Sequence, residues 1–299
     1  MSDKRISQII TSGRILVSDG GWGTFLQQKG LEAGECPELW NIEHPQDVLA
    51  IAQSYVDAGS DMIETNSFGG SSIKLGSYGL AGRAFELNKA AAEISREAAG
   101  SDVLVLGSIG PSGKMLMTGD VTPDELRDSF AEQARALEAG GVDALCLETF
   151  FDLTEAICAI DAAKENTTLE LICTFTFDKS QVGYRTMMGT SPSEVIETVL
   201  QKGVDISGTN CGNGFEGMID IVKEMRIASQ DIPLLVHANA GLPELKENKL
   251  YYPETPEIVG EIIPRLIDAG VNIIGGCCGT TPDHIRRIKS KVSRIEAGE

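Results

Sequence analysis

Four times along the chain a helical pattern stops at a glycine and restarts as an apolar run behind an acid or amide. The four junctions are Ala58-Gly59-Ser60-Asp61, Gly140-Gly141-Val142-Asp143, Lys202-Gly203-Val204-Asp205 and Ala269-Gly270-Val271-Asn272. The stretches before them, such as Asp47 to Ala58 and Asp124 to Ala139, return apolar residues at helical spacing, and a glycine just past the last turn is a normal helix stop. Each unit reads helix, glycine, strand. Eight apolar runs can be placed: Ile15 to Asp19, Asp61 to Thr65, Val103 to Ser108, Ala144 to Glu148, Leu171 to Thr176, Ile206 to Asn210, Leu234 to Ala238 and Asn272 to Gly276. Most are continuous rather than alternating, as expected for parallel strands covered on both faces. Eight such strands alternating with helices over 299 residues predict an α/β fold, a (β/α)8 TIM barrel forming a single domain over residues 1–299. The glycine-x-acid mark precedes strands two, four, six and eight only, which an open doubly wound sheet would not explain.

Charge narrows the partners. With 25 Lys and Arg against 44 Asp and Glu, the net charge is -19, so there is no basic surface for a run of phosphates and an anionic membrane would repel the chain. Nucleic acid and membrane are not expected partners. No apolar stretch approaches the roughly 18 residues of a membrane span, and the opening Met1-Ser2-Asp3-Lys4-Arg5 leads into no signal-peptide core. Seven cysteines, an odd number without a secretion signal, point to reduced thiols, a cytoplasmic setting, and metal or catalytic work rather than a disulfide scaffold.

A barrel concentrates chemistry at the carboxyl ends of its strands, and the polar residues collect there. The strand ends read Asp19-Gly20-Gly21-Trp22-Gly23, Glu64-Thr65-Asn66-Ser67-Phe68, Gly107-Ser108-Ile109-Gly110-Pro111, Glu148-Thr149, Asn210-Cys211-Gly212, Asn239-Ala240-Gly241 and Gly275-Gly276-Cys277-Cys278-Gly279. Cys211, Cys277 and Cys278 therefore meet at one mouth. Three thiolates suit Zn2+, and a site with three protein ligands keeps a fourth position open, as catalytic zinc does. Neighbouring residues of a strand face opposite ways, so the backbone must leave strand geometry at Cys277 for both vicinal thiols to reach one ion; the flanking glycines permit it. Burial as ordinary core thiols is the competing reading, and the one adopted for Cys146, Cys158 and Cys173. Cys36 is a loop thiol of no evident role.

Asp19-Gly20-Gly21 can be a tight turn, but at a barrel mouth successive glycine amides can cradle a carboxylate while Asp19 and Glu148 offer charge to an ammonium. Together they describe a site for an α-amino acid, against which a structural salt bridge at Glu148 is the alternative. Asn66 and Asn239 are strand-end amides suited equally to capping a turn and to touching a ligand. His44, His237 and His284 accompany no nucleophile motif and read as structural. No dinucleotide fingerprint or Walker-type lysine follows the glycines.

These strings carry a resemblance over nearly the whole chain. Asp19-Gly20-Gly21, Glu64-Thr65-Asn66-Ser67-Phe68, Gly107-Ser108-Ile109-Gly110-Pro111, Asn210-Cys211-Gly212, Asn239-Ala240-Gly241-Leu242-Pro243 and Gly275-Gly276-Cys277-Cys278-Gly279-Thr280-Thr281-Pro282 resemble the homocysteine S-methyltransferase family. That family includes betaine-homocysteine methyltransferase and the homocysteine module of cobalamin-dependent methionine synthase. The resemblance implies a barrel whose Cys211, Cys277 and Cys278 hold Zn2+, with the amino acid end of homocysteine held by the residues after strand one and by Glu148, and a methyl group delivered to the thiol to give methionine. A free thiol near a pKa of about 8.5 is mostly protonated at neutral pH, and coordination would make it a thiolate. No general base beyond the metal is needed, and in-line displacement becomes a matter of positioning.

The methyl donor stays open. Methyl-corrinoid, betaine, S-methylmethionine and other onium donors are all candidates; the chain carries no corrinoid domain, so a separate corrinoid protein would have to bring that methyl. Animal betaine enzymes would have a Tyr directly after Phe68, where Gly69 stands here. Trp22 and Trp40 could form a substitute cation face, although Trp40 could equally pack its own loop. A reading from another class is a zinc-holding docking module without turnover, whose metal would be closed by a fourth protein ligand.

Overall fold

The computed structural model describes residues 6–246 and 249–298; Met1 to Arg5, on which the expectation about a signal peptide rests, lie outside them. Eight parallel strands form one sheet in the order β1-β8-β7-β6-β5-β4-β3-β2. They are β1 (Leu16–Val17), β2 (Met62–Glu64), β3 (Leu104–Ile109), β4 (Ala144–Phe150), β5 (Glu170–Phe175), β6 (Ile206–Gly214), β7 (Leu234–Asn239) and β8 (Ile273–Gly276). Each is followed by a covering helix: α1 (Pro45–Asp57), α2 (Ala84–Ala99), α3 (Pro123–Gly140), α4 (Leu153–Asn166), α5 (Pro192–Gln201), α6 (Phe215–Ala228), α7 (Pro256–Asp268) and α8 (Pro282–Glu296). This is the expected (β/α)8 barrel. Strand one is shorter than its apolar run, and strand six runs four residues past Asn210 to Gly214 because it bulges at the mouth.

The fourfold mark has a direct physical cause. At the amino end of each even strand, the acid or amide of the mark exchanges two hydrogen bonds with the preceding odd strand. The Asp61 N–H donates to the Val17 carbonyl at 2.7 Å while its carboxylate accepts the Val17 N–H at 2.9 Å. Asp143 does the same with Val105, Asp205 with Leu171 and Asn272 with Leu234. A cation from a neighbouring helix braces each latch or the turn before it: Lys289 on Asp61, Arg96 on Asp143 and Gly141, Lys164 on the Gly203 carbonyl, Arg226 on Gly270 and Asn272. Asp61 also closes the circle, because the β1–β2 seam rests on it.

Two cores result. Between barrel and helices lies a large aliphatic layer that takes in Cys158 and Cys173. Inside the barrel, Leu16, Met62, Leu106, Cys146, Ile172, Ile206, Leu235 and Ile273 pack with Ile6 and Ile10 of a short helix, Ile6–Thr11, that plugs the amino end. Buried Glu170 accepts the first N–H groups of that helix, Ile6 and Ser7. Only the carboxyl mouth is left for polar chemistry. No helix among the described residues is long and apolar enough to cross a membrane.

Candidate active site

Three sulfurs stand together at the mouth. The Sγ atoms of Cys211, Cys277 and Cys278 lie within 4.8 Å of one another. β8 ends at Gly276, so Cys277 and Cys278 fall in the turn after it, as the vicinal pair requires; Gly279, at φ +81°, completes that turn. Cys211 reaches the pair from a bulge in β6, with φ at +58°. A side chain in this left-handed region costs about 1–3 kcal/mol and persists only where neighbours over-determine it. The trio shares its protons unequally. S–H groups of Cys277 and Cys278 donate to Cys211 and pull its thiol down to about 3, while Cys278 rises to about 11. The Tyr252 hydroxyl also donates to Cys278, and the Asn239 amide bonds to Cys211. Asn239 Oδ1 itself is buried without a partner. Three converging soft donors, one of them readily ionised, with an unpaired amide oxygen on the residue that bonds Cys211, fit a Zn2+ site with an open fourth position.

Below the thiols lies a buried acid cluster. Asp19 follows β1, Glu64 ends β2, Glu148 sits near the end of β4 and His237 in β7; all are nearly inaccessible. Burial, reinforced by the charge of Glu64, raises Asp19 to about 7, and burial raises Glu64 to about 7 as well. Glu148 is pushed up by burial and then by Glu64, whereas burial holds His237 down as a neutral ring. Three carboxylates cannot all ionise so close together. Glu64 Oε1 and His237 Nδ1 are 3.5 Å apart without hydrogen-bond alignment, and Glu64 Oε1 and His237 Nε2 have no hydrogen-bond partner. An incoming cation would relieve both deficits. The ligand atoms of Glu64, Glu148 and His237 also lie within 4.8 Å of one another, but the thiols are the better zinc donors and the proton-loaded acids the better ammonium receptor.

Asn210 joins the two groups. Its amide oxygen accepts the Thr149 N–H and the Thr174 hydroxyl, both at 2.8 Å, and its NH2 donates to Glu148 Oε2 at 3.1 Å and Thr149 Oγ1 at 2.6 Å. The Thr149 N–H can only donate, so this orientation of the amide is fixed. Ser108 holds the other oxygen of Glu148.

The loop after β1 meets both groups. Both strong bonds to Asp19 fall on Oδ2, from the Trp22 indole at 2.7 Å and the Glu64 N–H at 2.8 Å. Gly21 is glycine by necessity, since a Cβ there would sit 2.5 Å from the Cys277 carbonyl. Its N–H is already taken by Thr280 Oγ1 at 2.9 Å. Beyond it, helix Trp22–Lys29 begins without a side-chain cap, leaving N–H groups for an anion. Gly20 lies against Tyr55 and Thr280. Asn66 is buried facing away from the cluster: its NH2 donates to the Pro37 carbonyl and Asn41 Oδ1, holding the segment that precedes α1.

Sequence reasoning missed three residues that the fold brings in. Glu64 was visible as an acid ending an apolar strand, the signal used for Glu148, and Tyr252 carried no signal at all. His237, read as structural, lies in the acid cluster. His44 stacks on Trp40 and His284 caps α8, so both serve structure as expected. Trp40 is buried in that packing; Trp22 is spent on Asp19.

The carboxyl mouth of a (β/α)8 barrel thus carries a thiol trio and a buried acid cluster. The homocysteine S-methyltransferase family model matches residues 16–292, and the chain belongs to that family. It is 32% identical over 302 residues to methionine synthase of Mycobacterium leprae, covering 95% of this chain and 25% of that protein. With methionine synthase of Mycobacterium tuberculosis it shares 33% over 309 residues, 97% of this chain and 26% of the relative. The chain thus spans about a quarter of the length of these relatives. Among solved structures, the metallated form of the homocysteine methyltransferase MmuM from Escherichia coli superposes with a TM-score of 0.77 at 22% identity, over 95% of this chain and 98% of that one, and shares its fold.

Proposed function

We propose that this chain binds homocysteine at the barrel mouth and transfers a methyl group to its sulfur, giving methionine, with Zn2+ held by Cys211, Cys277 and Cys278. The observation that carries the reading is the pairing of a thiol trio with an acid cluster that cannot hold all its negative charge. Zinc at the trio would supply a Lewis acid that favours the thiolate form of an incoming thiol at neutral pH. Everything else falls to the chain. Glu148, Asp19 and Glu64 take the ammonium, whose charge lets the acids ionise together. With the Gly21 N–H spent on Thr280, the carboxylate falls to the uncapped start of helix Trp22–Lys29, which the Gly20-Gly21 turn positions. Asn239, bonded to Cys211, has an unpaired buried oxygen that would be available to zinc in the absence of an acceptor. Asn66 shapes the pocket wall from behind, through Pro37 and Asn41. The barrel acts as one acceptor-binding unit in a reducing, cytoplasmic setting, consistent with seven free thiols.

For the donor, the structure favours a protein-borne methyl over direct use of betaine. A Cβ on Gly69 would meet Glu38 Oε1 at 2.9 Å, and that oxygen already accepts the Gly69 N–H, so a tyrosine there would have to displace the buried Glu38 carboxylate. The loops after β5 and β7 expose Val182, Met187, Leu242, Leu245 and Leu250, an apolar rim suited to a protein carrying a methyl-corrinoid. The test of the acceptor site is cobalt(II) substitution. Thiolate charge-transfer absorption should grow on adding homocysteine, and homocysteine should release up to about one proton more per site than methionine, which can discharge the acids but has no thiol to ionise and should leave the spectrum unchanged. A spectrum indifferent to homocysteine would overturn the reading in favour of a closed docking module.

A further inference from the structure

The acceptor has two anchors, its sulfur at the thiol trio and its ammonium at Glu148, so something must fix the span between them. We propose that Asn210 is the positioning residue that sets this span, and with it selects an amino-acid thiol of homocysteine's chain length over one a methylene shorter or longer. The inference rests on the proposed function. Its evidence is separate.

The two residues among those described that combine a side chain beyond glycine with a positive φ are Thr149, at +64°, and Cys211, at +58°. One directly follows Glu148 and the other directly follows Asn210. The β4–β5 ladder shifts register between Leu147 and Phe150, and the β6–β7 ladder between Asn210 and Gly214. Two bulges thus stand at the same mouth, and Asn210 spans them across β5. Its backbone carries Cys211 while its fully buried amide clasps the Glu148 carboxylate and both polar groups of Thr149. Thr174 of β5 holds the amide from the third side. All four hydrogen-bonding positions of the amide are filled, so it cannot turn to accommodate a different spacing. In β6, Asn210 bonds simultaneously to the ammonium carboxylate and, through the chain, to a metal-site cysteine.

The test is a thiol-length series on the zinc-loaded protein, with calorimetric affinities for cysteine, homocysteine and the homologue with one further methylene. In the parent, homocysteine should lead cysteine by about tenfold or more, since one methylene in a built site is worth about 10–200-fold. In Asn210→Ala the lead should collapse to within about threefold while zinc stoichiometry stays at the parent value. Should that variant fail to fold or to hold zinc, Thr174→Val, which frees one side of the amide and touches neither anchor, should narrow the lead by at least threefold. If the variants bind all three thiols more weakly but keep the parent's order and ratios, Asn210 only supports the fold and the proposal is overturned. A parent that binds zinc but no homocysteine overturns the proposed function itself, and the ruler with it.

Discussion

Asp19→Asn should make the free protein more stable as pH rises while weakening its grip on the acceptor. Asp19 is wholly buried and its pKa is raised from 3.8 to about 7, first by burial and then by Glu64. A carboxyl raised in the folded state binds its proton more tightly there than in the unfolded chain. Its cost to stability is therefore absent below about pH 4, grows from there to about 7, and is constant above. At about 1.4 kcal/mol per unit, the shift of roughly three units amounts to about 4 kcal/mol at pH 8 and somewhat under 2 kcal/mol at pH 5. The geometry favours a clean substitution. Because Trp22 Nε1 and the Glu64 N–H both donate to Oδ2, an amide oxygen can keep both bonds, and only the weak 3.3 Å contact from Ser18 must reverse. Denaturant unfolding at pH 5 and pH 8 should show the stabilising effect larger at pH 8 by about 2.5 kcal/mol, with homocysteine affinity lower in the same variant. A variant no more stable at pH 8 than at pH 5, relative to the parent, would mean that Asp19 is not held protonated by its surroundings and that the cation argument for the cluster is unsound.

Glu148→Gln should weaken homocysteine binding by about tenfold to a hundredfold, the equivalent of a charge-assisted hydrogen bond of about 1.5–3 kcal/mol, with metal content unchanged; parent-like affinity would return Glu148 to a structural role. Cys278→Ala should lose zinc by elemental analysis yet keep a parent-like circular dichroism spectrum, since the core is independent of the mouth; full zinc occupancy would move the metal to Glu64, Glu148 and His237. Asp61→Ala should cost about 2–3 kcal/mol in denaturant unfolding by opening the latch on Val17, and a negligible loss would show that the β1–β2 seam holds without it.

The barrel was legible because its signals are local. A continuous apolar run and a glycine stop each report on a few neighbouring residues, and the α1 and α3 predictions of Asp47 to Ala58 and Asp124 to Ala139 fall within two residues of Pro45–Asp57 and Pro123–Gly140. The thiol trio was legible because vicinal cysteines between glycines have few other uses. His237 was not, and Glu64 only as an acid ending a strand, because their significance lies in facing each other across the barrel from positions 173 residues apart in sequence. Asn66 shows the same limit from the other side: position at a strand end brought it to the mouth, but only the packed fold reveals that its NH2 serves Pro37 and Asn41. The plug helix Ile6–Thr11 escaped because six residues carry too little periodicity to declare a helix, and its partner Glu170 is remote in sequence.

The four latches leave the barrel hooped at one rim. Asp61, Asp143, Asp205 and Asn272 bind their strand pairs at the amino end, whereas at the opposite rim β4 and β6 break register and two hairpins stand out from the loops. Thermal breathing is thereby channelled toward the open rim. Strand ends at that rim can part without any strand slipping in register, because the hoop at the far end keeps the alignment.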